Sequence, residues 1–273
     1  MDLLDRPPTA VDGIRVGIGG WTYAPWRDNF YPKGLVQRRE LEYASRHVSA
    51  IEVNGTWYGA QKPATYAKWR DEAPDGFVFA AKAPQRITMA RALAKTGPQA
   101  EDFLAGIATL GDKLGPVVWQ FERGRRIDLG ELAEFAALLP RSVEGRRLRH
   151  VLDVRDPACI GADYLALARR HAIATVFTDS PEHPSFADLT ADFVYARLMR
   201  SRAEVATGYP DAELDDWARR AREWAAGADP ADLPRIAPPQ DAPASREVFV
   251  FFISAAKERN PAAAMALLRR LGA

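Results

Sequence analysis

Polar side chains interrupt short apolar runs at a recurring place, the carboxyl end of the run. Glu52 and Asn54 close Ile51-Glu52-Val53-Asn54, Lys82 closes Val78-Phe79-Ala80-Ala81-Lys82, and Gln120 lies in Val117-Val118-Trp119-Gln120-Phe121. Asp153 and Arg155 flank Val154, Asp179 follows Thr178, and Arg197 follows Tyr195-Ala196. In an extended strand successive side chains alternate between faces, so Glu52 and Asn54 share one face while Ile51 and Val53 share the other. The same alternation pairs Asp153 with Arg155. Three cations, Lys82, Arg155 and Arg197, could clamp a phosphate or carboxylate, and three carboxylates, Glu52, Asp153 and Asp179, could act as general acid or base. Carboxylates crowded into a dry pocket can have raised pKa values, which suits proton transfer near neutral pH.

Two loops add aromatic surface beside these groups. Gly19-Gly20-Trp21-Thr22-Tyr23-Ala24-Pro25-Trp26 follows the first apolar run, and Gly55-Thr56-Trp57-Tyr58-Gly59 follows the second. Glycines allow close backbone approach, and ring faces can stack on a sugar or base. Trp26 and Tyr58 are the rings expected nearest a ligand, with Asn54 and Gln120 supplying hydrogen bonds. The competing reading is structural: the charges form a neutral ion-pair plug and the rings a core. Three cations, three anions and two amides are more polar groups than a packed plug needs, which favours a pocket.

These residues must be positioned by short strands. Runs at 15–19, 50–54, 77–82, 117–121, 150–155, 174–179, 193–198 and 248–252 read as strands. Helical spacing of Leu and Ala appears at 38–47, 64–72, 99–114, 129–138, 162–171, 211–226 and 261–271. The sixth crossover, 180–192, holds Pro181 and Pro184 and has room for one or two turns only. Strands alternating with helices argue for parallel βαβ units, and eight of them in 273 residues favour closure. The expected fold is α/β, one (β/α)8 TIM barrel over 14–273 with a short or irregular sixth crossover, preceded by a tail at 1–13. Residues 227–245 carry five prolines and are expected as a surface insertion before the last strand. No G-x-G-x-x-G follows any strand, so an open dinucleotide-binding sheet loses its best support. In barrel enzymes the strand carboxyl ends build the active site, where these polar residues fall.

Composition narrows the partners. Lys plus Arg number 37 against 36 for Asp plus Glu, so no overall field draws the chain to nucleic acid or to a membrane. The basic clusters 123–126 and 146–149 fall at opposite ends of the barrel, which does not make a phosphate track. A single cysteine, Cys159, leaves no internal disulfide and suits a reducing compartment. No apolar stretch reaches membrane-span length, and the expected location is the cytoplasm. The histidines are His47, His150, His171 and His183. The first three fall on helices or at the amino end of a strand, so a histidine-built zinc site is not expected. No metal and no cofactor is expected; the metal-bearing alternative is Mg²⁺ on Glu52, Asp153 and Asp179, as in a phosphodiesterase.

The chain resembles the YecE-like family, domain of unknown function 72. The resemblance rests on Gly17-Ile18-Gly19-Gly20-Trp21-Thr22-Tyr23 with Trp26, Phe30-Tyr31-Pro32-Lys33-Gly34-Leu35 and Ile51 to Tyr58. It continues through Phe77 to Ala83, Leu114 to Phe121, Asp153-Val154-Arg155, Thr178 to Pro181, and Phe193 to Leu198 with Tyr209. It implies a barrel with a shared pocket at Glu52, Asn54, Lys82, Gln120, Arg155, Asp179 and Arg197, and no established reaction. The chain departs from the family pattern at Asp156, Met199-Arg200 and Ile253-Ser254, where two histidines, a glycine and two amides are usual. The functional expectation is an acid–base enzyme, hydrolase- or lyase-like, on a small anionic or polyhydroxylated ligand. The alternatives are a ligand- or nucleic-acid-binding protein without turnover and the Mg²⁺-dependent phosphodiesterase.

Overall fold

A computed structural model describes residues 8–239 and 245–273; the start of the N-terminal tail and part of the proline-rich segment lie outside the described residues. Eight strands, β1 (Ile14–Gly19), β2 (Ala50–Val53), β3 (Val78–Lys82), β4 (Leu114–Phe121), β5 (His150–Val154), β6 (Ala174–Thr178), β7 (Phe193–Leu198) and β8 (Glu247–Phe252), are all parallel to their neighbours. They close in sequence order, with β1 pairing both β2 and β8. The fold is the (β/α)8 barrel.

The helices are α1 (Glu40–Ala44), α2 (Pro63–Glu72), α3 (Gln85–Thr88), α4 (Gly97–Ala108), α5 (Leu129–Leu138), α6 (Ala162–Arg170), α7 (Asp211–Ala225) and α8 (Asn260–Leu271). Proline sits in the first turn of α2, α4 and α8, where its missing N–H costs nothing. Asp128 caps α5 by accepting from the amides of Gly130 and Glu131 at 2.8 and 3.2 Å. The helix expected over 38–47 shortens to α1 with a 3₁₀ turn before it, and that over 99–114 ends at Ala108.

Period two sorts the strand residues into two separate apolar clusters. Ala50, Val78, Ala80, Val118, Val151, Val176, Phe193, Tyr195, Phe249 and Phe251 fill the lumen. Ile51, Val53, Phe79, Trp119, Leu152, Val154, Phe177, Ala196 and Leu198 face outward into the shell of helices. Gly17 is required where β1 meets β2: a Cβ there would lie 2.1 Å from the Ala50 carbonyl oxygen. Any side chain would push the two strands apart.

No helix connects β6 to β7. Phe186 and Ala187 are buried in that connection, and the proline-rich segment docks on it. The Asp188 carboxylate accepts from the amides of Ile236 and Ala237 at 2.8 and 2.9 Å, and the Ala187 amide donates to the Pro234 carbonyl at 2.7 Å. The described part of the segment expected as a surface insertion thus covers the ground where a sixth helix would pack. No helix among the described residues is long and apolar enough to cross a membrane.

Candidate functional site

At the carboxyl rim a cavity of about 340 Å³ opens to solvent, lined by Gly19, Glu52, Asn54, Trp57, Tyr58, Lys82, Gln120, Glu122, Arg155, Arg197, Ile253, Ser254, Lys257 and Asn260. Its walls follow from the alternation that fills the lumen. One step above Ala50 and Ala80 the inward positions of β2 and β3 become Glu52 and Lys82, and above Val118, Val151 and Tyr195 they become Gln120, Asp153 and Arg197.

Arg197 is the centre of this layer and is 2% exposed. Its Nε donates to Glu52 Oε2 at 2.8 Å, and its Nη1 donates to Gln120 Oε1 at 3.0 Å and to Asp153 Oδ2 at 2.5 Å. Tyr195 donates its hydroxyl to the same Glu52 oxygen at 2.6 Å. Burial alone would lower the arginine pKa, but Glu52 and Asp153 together hold it above the ordinary value. Arg155 binds Asp153 Oδ2 through Nε at 3.2 Å and Glu122 Oε2 through Nη1 at 3.1 Å, and Gln120 donates to Glu122. Three carboxylates are thus spent on two arginines.

Two cations of the cavity are left over. Among the described residues neither Lys82 nor Lys257 makes an ion pair or a side-chain hydrogen bond. Lys82 Nζ rests 4.3 Å from the centre of the Trp57 ring, and Lys257 Nζ rests 4.5 and 5.6 Å from those of Tyr23 and Trp26. Burial, reinforced by Arg197, pushes the Lys82 ammonium down to about 8; burial also lowers Lys257. A ring face supports a cation but does not neutralise it. Two buried polar atoms of the charged layer also lack partners among the described residues: Glu52 Oε1 and Arg197 Nη2. Unpaired polar atoms this deep are costly, and a ligand offering a donor and an acceptor would satisfy both.

The loop after β8 carries Lys257 in a strained backbone. Ser254 and Ala255 adopt φ of 61° and 49°, consecutive left-handed conformations that L residues rarely take. The segment is clamped: Asn260, 1% exposed, donates to the Ser254 carbonyl at 3.2 Å and accepts from Ser201 at 2.8 Å. The Trp26 indole donates to the Lys257 carbonyl at 2.8 Å.

Seven of the ten side chains singled out in the sequence meet in the cavity: Glu52, Asn54, Tyr58, Lys82, Gln120, Arg155 and Arg197. Asp153 lies beneath it, bound to both arginines. Two stand elsewhere. Trp26 is fully buried among Tyr23, Phe30 and Tyr31 and braces Lys257 from below, so it is not the stacking ring expected. Asp179 shares the outward parity of Phe177; its carboxylate accepts from the Met199 amide at 2.5 Å and the Tyr209 hydroxyl at 2.9 Å. Burial raises its pKa, and its role in the structure is to tie β6 to the loop after β7. The trio Glu52, Asp153 and Asp179 therefore does not converge on one point. Among the described residues no three His, Cys, Asp or Glu side chains group as metal ligands.

Sequence reasoning missed Glu122, Lys257 and Asn260. Glu122 was within reach, since it lies two residues beyond Gln120 on the same face. Nothing in the sequence marks Lys257, which reaches the rim through the strained loop. Of the residues that depart from the family pattern, Ile253 and Ser254 line the cavity, whereas Asp156 caps the turn at Pro157–Cys159 by accepting from the Ala158 amide at 3.1 Å.

The chain is 31% identical over 75 residues to UPF0759 protein YunF of Bacillus subtilis (strain 168), a stretch that is 28% of this chain and 26% of that protein. The chain therefore matches about a quarter of that relative's length. A DUF72 family protein of Thermotoga maritima MSB8 superposes with a TM-score of 0.74 at 18% identity, covering 95% of this chain and 99% of that one. A second DUF72 family protein, from Enterococcus faecalis V583, gives 0.69 at 16% identity over 95% and 96%. At such identities these likenesses speak for the barrel alone. The sequence itself matches the family described as Protein of unknown function DUF72 over residues 15–273, and the chain belongs to that family.

Proposed function

We propose that the protein is an enzyme that carries out acid–base chemistry on a small anionic substrate in the rim cavity. The observation that carries this reading is the pair of unneutralised lysines, Lys82 and Lys257, in one cavity whose carboxylates are already bound to arginines. An anionic group of the substrate would complete the charge balance, with Arg155 Nη2 as a further donor. The cavity volume suits a metabolite-sized molecule. Glu52, which lines the cavity and whose buried Oε1 has no partner among the described residues, would take or return a substrate proton. Tyr58, 83% exposed at the mouth, offers a ring face to an entering ligand.

The nucleic-acid alternative draws less support. Of its basic clusters, Arg146, Arg147 and Arg149 pair with Asp112, Asp192 and Glu247, and Arg125 pairs with Glu131.

The test is thermal unfolding of the wild type and of Lys257→Met with inorganic phosphate, sugar phosphates, small carboxylates, neutral sugars and short oligonucleotides. An anion at about 100 times its Kd should stabilise the wild type by about 2.7 kcal/mol, and the variant far less. Stabilisation by neutral sugars or oligonucleotides alone, or an equal response of both proteins to anions, would overturn the reading.

A further inference from the structure

We propose that Lys82 is a nucleophilic amine that condenses with an anionic aldehyde or ketone to form an imine on the enzyme. The proposal rests on the anion-binding reading of the cavity and assigns its two lysines different tasks. Lys257, near the solvent-open mouth with Arg155, holds the anionic group, and Lys82, 9% exposed at the end of β3, meets the carbonyl carbon.

Four observations converge on Lys82. Its ammonium has no hydrogen-bond acceptor among the described residues, and only the charges of Glu52 and Glu122, which do not contact it, favour the proton. Trp57 covers one side at 4.3 Å and shields it from water, while its ring face gives back only part of what burial costs the ammonium. Burial disfavours the ammonium, and Arg197 and, less, Arg155 add to that, so the free amine is reached at about pH 8 instead of 10.5. Finally, Glu52, whose buried Oε1 has no partner among the described residues, lines the same cavity and would serve as the proton carrier.

The chemistry balances with these groups. The neutral amine adds to the carbonyl carbon as the C=O π pair moves to oxygen, and the proton that the nitrogen then sheds passes to that oxygen, giving a neutral carbinolamine. The nitrogen pair then forms C=N as the hydroxyl takes one proton and leaves as water. Amine, carbonyl compound and one proton yield a protonated imine and water, with no oxidant or reductant. The cationic imine draws electrons from the adjacent carbon, so a C–H or C–C bond there can break heterolytically. Such an enzyme acts as a lyase or isomerase.

Carboxylate- and phosphate-bearing carbonyl compounds share the required chemistry, and borohydride trapping distinguishes them. Wild type, Lys82→Met and Lys257→Met are incubated with pyruvate or with dihydroxyacetone phosphate, reduced with sodium borohydride, and mapped by peptide mass spectrometry. Against an ordinary lysine, the free-amine fraction near neutral pH is about 300-fold higher. After allowance for the weaker nucleophilicity of a less basic amine, Lys82 should be labelled about tenfold or more above exposed Lys33 and Lys62. Lys257→Met should slow labelling, and Lys82→Met should abolish it. Labelling by pyruvate alone marks a carboxylate ligand, by dihydroxyacetone phosphate alone a phosphate, and either supports the proposal. Lys82 labelling no greater than that of Lys33 and Lys62 with both probes overturns it. Lactate and inorganic phosphate, which cannot form an imine, separate the two claims: if they stabilise the wild type but not Lys257→Met while no adduct forms, only the imine fails. If they do nothing as well, the anion pocket fails with it.

Discussion

Replacing Lys82 by methionine removes a buried cation without an anion and keeps most of the volume of its aliphatic stem. Burial and the neighbouring Arg197 lower the ammonium from its ordinary 10.5 to about 8, while Glu52 and Glu122 act in the opposite direction. At ~1.4 kcal/mol for each tenfold change in proton affinity, the charged lysine costs the folded state about 3 kcal/mol. Its contact with Trp57 returns about 1–2 kcal/mol of that. Lys82→Met should therefore be about 1–2 kcal/mol more stable than the wild type at pH 7. Because the folded-state pKa is depressed, the unfolded chain binds more protons between about pH 8 and 10.5, and wild-type stability rises across that window. Below about 8 both states are protonated and the penalty is present in full. The gap between the proteins should narrow to about 1 kcal/mol or less by pH 10. Guanidinium denaturation of both proteins at the two pH values measures it, and groups that titrate alike in both cancel in the difference. A variant less stable than the wild type at pH 7, with a gap independent of pH, would mean that Lys82 has a satisfying anionic partner. The case for two unneutralised lysines would then fall.

Arg197→Met should cost about 3–5 kcal/mol, because Glu52 would be left buried without its counter-charge and Asp153 with Arg155 alone; a midpoint shift worth under about 1 kcal/mol would show that the network does not depend on it. Asp179→Ala should destabilise by about 1–3 kcal/mol by orphaning the Met199 amide and Tyr209 hydroxyl, yet leave anion-induced thermal shifts unchanged. Loss of those shifts would return Asp179 to the ligand site. Gly17→Ala should cost about 3 kcal/mol or more in chemical denaturation, since its Cβ would meet the Ala50 carbonyl at 2.1 Å; a near-neutral result would mean that β1 and β2 can separate without harm.

Much of the site was legible because a barrel strand obeys one local rule. Alternation in Ile51-Glu52-Val53-Asn54 and in Leu152-Asp153-Val154-Arg155 assigns each side chain to lumen or shell, and the apolar neighbours confirm the assignment. The same rule, carried past Phe177 or past Gln120, would have turned Asp179 outward and brought Glu122 in. Trp26 misled because an aromatic next to glycines looks the same whether its ring lies on a ligand or under a loop. Its indole bond to the Lys257 carbonyl spans residues far apart in sequence.

The order of the strands, the alternation that turns most of the polar residues inward and the missing glycine motif that weakens a dinucleotide-binding fold are local patterns, which act over a few residues. Which charges neutralise one another was decided only by closure of the barrel. Closure brings β2, β4, β5 and β7 around Arg197, binds the three carboxylates to two arginines, and leaves Lys82 and Lys257 without an anion. Pairing across a closed sheet depends on distances between residues up to 145 positions apart, and no local pattern in the chain encodes them.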